Sequence, residues 1–337
     1  MAVLAAAIVF LLSACPEVTK DDPEENGEKN GDKNGITWTA VPNSTFGTNA
    51  INSVTFGNGV FVAVGGGGRI ARSADGKTWT AVTETTFGTN AINSVDWGGP
   101  SDNRIFMAGG ENGRMAYSAD GTTWTAVSNS TFTTNEINGI SWGSDRWVAV
   151  GRGRMAYSNA DGTSWTGMSS NDPFGYGQGS PNLRDAAWGG GRYVIVGPAG
   201  GQGHGTSLAH SANGITWTSR DMGDIIATPL TGICYGNGKF VTVASDMILY
   251  SADGMNWSDV PDLNTGSILK QLVSVAAGDG KFLAVGTNDT IVMSDDGIKW
   301  NALPDILLNS HLNGAAYGNS TWVAAGLNGV IAYAVED

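Results

Sequence analysis

SADGKTW, residues 73–79, is the stretch on which the reading of this chain turns. It returns as SADGTTW at 118–124 and SADGMNW at 251–257. Looser copies are SNADGTSW at 158–165, SANGITW at 211–217 and SDDGIKW at 294–300, and a half copy, KNGITW, ends at Trp38. The tryptophans at 38, 79, 124, 165, 217, 257 and 300 are separated by 41, 45, 41, 52, 40 and 43 residues. A period in the low forties means stacked or radial repeats. It overrides the two-domain expectation that 337 residues would otherwise carry. Fifty glycines against ten prolines, with 12 tryptophans, point to tight turns between short aromatic-rich strands.

Working outward from the phrase, each unit has four parts. A short apolar segment comes first, as at 51–56, 92–97 and 137–142. A glycine-centred turn such as Gly57-Asn58-Gly59 follows, with residues that tolerate positive φ. The second strand is Phe61-Val-Ala-Val-Gly65 and its counterparts, and the third is Arg69-Ile-Ala-Arg-Ser73 and its counterparts. The fourth begins at the repeated tryptophan. Four short antiparallel strands at this period make a propeller blade.

Sets of the first three strands start at Ile51, Ile92, Ile137, Leu183, Leu230, Leu272 and Leu312, which makes seven. The tryptophan strand at 36–41 has no set before it, and the last set has no tryptophan strand after it. One geometry accounts for both leftovers. The N-terminal strand, 35–42, completes the last blade beside 330–334 and closes the ring, leaving no sheet edge unpaired. The expected fold is all-β, a seven-bladed propeller over 35–337. Within the phrase, Asp75, Asp120, Asp161, Asn213, Asp253 and Asp296 are expected to accept backbone N–H bonds in the turn from third to fourth strand. The glycine supplies positive φ, and the tryptophan packs between blades.

The phrase resembles the Asp-box (BNR) repeat, Ser-x-Asp-x-Gly-x-x-Trp. Most copies here are one residue shorter, and only the copy at Ser158 has the full length. The resemblance covers 35–337 and is nearest to the seven-bladed propellers of photosystem II assembly factors and related bacterial surface proteins. Sialidases carry the same box on a six-bladed ring. The resemblance implies that the box is architectural and lies on the face away from the binding site.

Residues 2–12 are an unbroken run of 11 apolar residues, too short to span a bilayer but suited to a secretion signal. Leu12-Ser13-Ala14-Cys15 then resembles the bacterial lipobox, which implies a signal peptide at 1–14 and a lipid anchor on Cys15. No Lys or Arg precedes the run, so either Met1 carries the only positive charge or the true start lies upstream. Residues 15–34 are rich in Asp, Glu, Lys, Asn and Gly and read as an acidic flexible tether. The expected location is the bacterial cell envelope, at the outer membrane or cell surface.

The formal charge of −13 excludes a general nucleic-acid footprint. Cys234, in an apolar strand pattern, reads as a buried small hydrophobe. His204, His210 and His311 lack metal spacing, and nothing calls for a metal or cofactor. The glycine runs at 65–68 and 197–205 lack the Gly-Lys-Ser/Thr and helix of a phosphate loop.

On the face opposite the boxes, three near-duplicate loops lead into first strands: NSTFGTNAIN at 43–52, ETTFGTNAIN at 84–93 and NSTFTTNEIN at 129–138. Arg69, Arg114 and Arg154 occupy one equivalent position in the same three units, with Arg152 nearby. Asn52, Asn93, Asn138 and Asn313 are placed near the channel mouth. Arginines and amides converging there would suit a carboxylate-bearing or polyhydroxyl ligand. Regular repetition alone also places like residues together. The longest departures from the repeat, at 171–185 and 197–205, are candidates for partner contacts.

The expectation is a monomeric, non-catalytic surface lipoprotein whose propeller binds a protein or glycan. The alternatives are a glycoside hydrolase or lyase of the Asp-box kind, which a converging carboxylate pair at the channel mouth would favour, and an assembly factor for a membrane complex.

Overall fold

The computed structural model describes residues 36–168, 182–197, 207–220, 228–260, 271–303 and 308–336. The expected signal, Cys15 and the tether lie outside them, as do most of 171–185 and of 197–205. Among the described residues the chain from Ile36 onward forms seven four-stranded antiparallel sheets. Blade 1 runs Ile51–Gly57, Val60–Gly65, Ile70–Ser73 and Thr80–Val82, from the channel outward. The innermost strands of blades 2 to 6 are Ile92–Gly98, Ile137–Trp142, Asp185–Gly189, Gly232–Gly236 and Leu272–Gly278.

Blade 7 is the closure. Leu312–Gly318, Thr321–Gly326 and Ile331–Val335 supply three strands, and Trp38–Ala40 supplies the fourth. The register is Trp38 opposite Ala334, Thr39 opposite Tyr333 and Ala40 opposite Ala332. The Val41 N–H donates to the Ile331 carbonyl at 2.8 Å. The ring is closed where the leftover strands predicted it.

The second strand explains the packing. In Phe61-Val62-Ala63-Val64 successive side chains leave opposite faces of the sheet, and both faces are buried. Phe61 and Ala63 join an apolar cluster with Val323 and Ala325 of blade 7, whereas Val62 and Val64 join one with Phe106 and Ala108 of blade 2. Seven such clusters fill the seven gaps between blades, and each takes one repeated tryptophan, from Trp38 between blades 6 and 7 to Trp300 between blades 5 and 6.

The box turn is a compact hydrogen-bonded unit. One Asp75 oxygen, Oδ1, accepts the Lys77 and Thr78 N–H groups, both at 2.8 Å. The Ser73 hydroxyl donates to the same oxygen at 2.9 Å and accepts the Gly76 N–H at 2.9 Å. Trp79 Nε1 donates to the Gly76 carbonyl at 3.0 Å. Gly76 has φ +74, and a β-carbon there would stand 2.9 Å from Val323 Cγ2 of the neighbouring blade, so glycine is required twice over. Asp120, Asp253 and Asp296 repeat the pattern, and the Asn213 amide oxygen does the same work.

The longer copy at Ser158 shares that work differently. Asp161 accepts the N–H and the hydroxyl of Thr163, and the extra residue, Asn159, takes the Ser164 N–H with its side chain and the Gly162 N–H with its carbonyl. The fourth strand opens one residue after the tryptophan in most blades, as at Thr80, and on the tryptophan itself at Trp38 and Trp165.

Candidate functional site

Each innermost strand has one paired edge, toward the second strand, and one free edge on the central channel. The residues at that free edge decide what the channel offers. Asn52, Asn93, Asn138 and Asn313 all line its loop-side half, which encloses about 460 Å³. Their amide nitrogens are already engaged. Asn52 Nδ2 donates to the Ile92 carbonyl at 2.9 Å, Asn93 to Ile137 at 3.0 Å, Asn138 to Leu183 at 2.8 Å and Asn313 to Ile51 at 3.0 Å. Every one of these bonds crosses to the next blade. The Thr231 hydroxyl does the same from blade 5, reaching the Leu272 carbonyl at 3.2 Å.

The asparagines therefore do not cap their own loops. They latch blade to blade, and among the described residues no protein group donates to their side-chain oxygens. The mouth carries an arc of amide acceptors on blades 7, 1, 2 and 3, joined by Glu111, Glu136 and Arg184. Glu111 is held by the Ala91 N–H, which donates to its Oε2 at 2.8 Å.

The arginines stand elsewhere. Arg69, Arg114, Arg154 and Arg152 are exposed and are not among the residues lining the channel. Arg69 Nη1 donates to the Thr45 carbonyl at 3.2 Å, Arg114 to Thr86 at 3.2 Å and Arg154 to Thr131 at 3.1 Å. The three equivalents thus share one local role, as clasps on the loop leading into their own blade. Arg152 pairs through its backbone with Asn182, and its N–H donates to the Glu136 carbonyl. The structure brings the asparagines together and sets the arginines outside their arc.

Two carboxylates inside the channel escaped the sequence reading. Asp185 Oδ1 accepts the Ala186 N–H at 2.8 Å and its Oδ2 accepts the Ile233 N–H of blade 5 at 3.0 Å. Asp96 spans from its neighbour Trp97, at 2.8 Å, to Trp142 of blade 3, at 3.1 Å. Ser53 and Ser94 take the Val95 and Ile140 N–H groups in the same manner. Burial in the channel pushes Asp185 up to about 7 against the pull of its N–H donors, with the Asp96 charge adding to the rise. Burial also pushes Asp96 up to about 6. A signal existed: with the innermost strands aligned, Ser53, Ser94 and Asp185 fall at one position.

Asp185, Ser53, Ser94 and Ser274 also line the box-side half, which encloses about 430 Å³, so the two halves are continuous. There the lining turns aromatic, with Phe56, Trp97, Trp142, Trp188 and Tyr317 beside Asp96 and the half-buried Cys234. Burial, with the nearby Asp185 charge, raises the Cys234 thiol above its ordinary range, which disfavours the thiolate.

Neither His210 nor His311 lines the channel. Arg192 Nη1 lies 3.2 Å from His210 Nδ1, and burial followed by the Arg192 charge lowers that imidazole below its usual range. Among the described residues no three His, Cys, Asp or Glu side chains stand close enough to share a metal ion.

No protein-family model and no curated protein matches this sequence. Solved structures do match in shape. YCF48 bound to a D1 peptide superposes with a TM-score of 0.67 at 16% identity, covering 91% of this chain and 98% of that one. YCF48 from Cyanidioschyzon merolae gives a TM-score of 0.64 at 16% identity over 88% of this chain and 98% of its own. A catalytically inactive virginiamycin B lyase from Staphylococcus aureus with quinupristin gives 0.70 at 11% identity, over 90% of this chain and all of that one. At these identities the likeness is one of fold, a propeller that YCF48 and a lyase both have.

Proposed function

We propose that this chain is a non-catalytic, lipid-anchored envelope protein whose propeller holds a segment of a partner protein at the loop-side mouth of its channel. The observation that carries this reading is the mouth itself. A cavity of about 460 Å³ is lined along blades 7, 1, 2 and 3 by four asparagines whose side-chain oxygens have no protein donor among the described residues, and it carries Glu111, Glu136 and Arg184 within reach of an occupant. Such a lining pairs with peptide N–H groups and with side chains of either charge. The YCF48 propeller, similar in fold, is described bound to a D1 peptide, and that description supports a peptide over a small molecule.

A hydrolase or lyase reading needs groups free to move protons. Asp96 and Asp185 each hold two backbone N–H groups and Glu111 holds one, so among the described channel carboxylates Glu136 alone has no such bond, where a glycosidase needs a pair. Neither described histidine lines the channel. These observations favour binding over catalysis.

A photoreactive residue in place of Asn93, in cells that produce the full chain, tests the reading. A discrete protein should crosslink from this position and not from Thr122 on the box face. Equal labelling from both positions would sink the proposal. The anchor is tested separately: Cys15→Ser should move the protein out of the membrane fraction, and retention there would refute lipidation.

A further inference from the structure

The three near-duplicate loops can be divided into residues with a structural task and residues without one. Phe46, Phe87 and Phe132 are fully buried. Ser44, Thr85 and Ser130 donate to the carbonyls of Gly329, Gly68 and Gly113 on the preceding blade. Asn49 and Asn90 bond back to the Phe46 and Phe87 carbonyls. Two threonines per loop remain. Among the described residues, the hydroxyls of Thr45, Thr86 and Thr131, and of Thr48, Thr89 and Thr134, have no hydrogen-bond partner.

Thr45, Thr86 and Thr131 moreover have φ of +70, +65 and +69. That region is unfavourable to a β-branched residue, and glycine or asparagine would occupy it at less cost.

The turns joining first to second strand in the same three blades lie on the opposite face and have diverged. They are NG at 58–59, GPSDNR at 99–104 and GSDR at 143–146. Those turns differ in length and charge among the three blades, whereas the arginine and the threonine pair recur in all three.

Beside each threonine pair stands Arg69, Arg114 or Arg154. A single bond from Nη1 to the loop carbonyl orients each guanidinium and leaves its other donors exposed. Among the described residues the ion pairs are Arg146–Asp145 and Lys281–Glu336, so none of these three arginines has a carboxylate partner despite a net charge of −13. Preoriented, unpaired guanidinium forks suit carboxylates or sulfates, and the free hydroxyls suit a polyol.

We propose that blades 1 to 3 present a row of three equivalent subsites for a linear acidic polysaccharide, with one acidic group meeting each of Arg69, Arg114 and Arg154. This site goes beyond the peptide-binding mouth and uses different residues. Three linked weak contacts give an avidity that no single patch would provide. The middle subsite differs from its neighbours in charge at the start of its loop, because Glu84 stands where the others have Asn43 and Asn129.

The test is calorimetric titration of the full-length Cys15→Ser chain with polygalacturonate, with dextran as the neutral control. Polygalacturonate should bind at least a hundredfold more tightly than dextran, and its affinity should rise with oligomer length until three subsites are spanned. Arg114→Gln should weaken binding about tenfold and Arg114→Lys less, because the ammonium keeps the charge and loses the fork. The triple Arg→Gln variant should fall to the dextran level, and Glu84→Asn should tighten binding. Lys77→Gln, on the box face, should change nothing. An unchanged melting temperature confirms that the variants fold, and an unchanged crosslink from position 93 separates this site from the mouth. Equal binding of dextran, or full binding by the triple variant, would overturn the proposal. Tighter binding of phosphatidylglycerol vesicles through the same arginines would also overturn it, in favour of a membrane surface.

Discussion

The ring of Phe56 in blade 1 lies on Gly318 in blade 7: a β-carbon on that glycine would stand 2.1 Å from Phe56 Cγ. The same interlock joins Trp97 to Gly57 and Tyr317 to Gly278, so aromatic and glycine alternate around the box-side rim of the channel. Gly318→Ala forces ring or backbone to move and should cost about 1–3 kcal/mol, the usual range for overpacking. Gly59→Ala is the comparison, since that glycine has φ +74 but open space around it. It should cost about 1 kcal/mol of backbone strain. Urea denaturation of both variants measures the difference, and a larger loss at Gly59 would count against the interlock.

Asp120 Oδ1 accepts the Thr122 and Thr123 N–H groups, at 2.7 and 2.8 Å. Its carboxyl is held below the ordinary range by the Thr123 N–H first, with burial opposing and the Thr122 N–H assisting. Asp120→Ala leaves those donors without an acceptor and should cost roughly 1–2 kcal/mol. Asp120→Asn should cost far less, because Asn213 already fills this role with the same two bonds. Thermal melts of the two variants decide it.

Deleting 36–42 strips the outer edge of Ile331–Val335 and removes Ile36 and Trp38 from their apolar cluster. It should lower the melting temperature sharply and promote association through the bared edge. Deleting 17–34 should do neither. Equal effects would refute closure by the N-terminal strand.

Asp185 and the boxes titrate in opposite senses. The raised pKa of Asp185, about 7, means that the folded state holds its proton more tightly than the unfolded state, whose value is near 3.8. Its contribution to stability is present at low pH and is lost as pH rises from about 4 through 7. The lowered carboxyls of Asp75, Asp120, Asp161, Asp253 and Asp296 contribute above the ordinary carboxylate range and lose that contribution as pH falls through it. The melting temperature should therefore peak in the mildly acidic range. Asp185→Asn should flatten the decline between pH 5 and 8 and leave the acid limb intact. A slope unchanged by that variant would show that Asp185 is ionised throughout.

How much could be read in advance follows from the range of the interactions. The box was legible because its bonds are local: Asp75 reaches residues two and three places along the chain, and those spacings return at Asp120, Asn213, Asp253 and Asp296. The channel asparagines were legible as positions and not as partners. Asn52 meets Ile92 across 40 residues and Asn313 meets Ile51 across 262. The rim aromatics stood in plain view, each followed by a glycine, but the ring that covers a given glycine comes from the next blade.

By itself the sequence determined the number of blades, the chemistry of the box turn and the strand that closes the ring. Each follows from periodicity, from hydrogen bonds spanning a few residues, or from counting strands without partners. Only the tertiary structure decided that the asparagines latch neighbouring blades, that Asp96 and Asp185 sit inside the channel, and that the arginines stand apart as clasps on their own loops. Those assignments depend on which blade a side chain leans against, and closure into a ring makes neighbours of residues as far apart in sequence as Phe56 and Gly318.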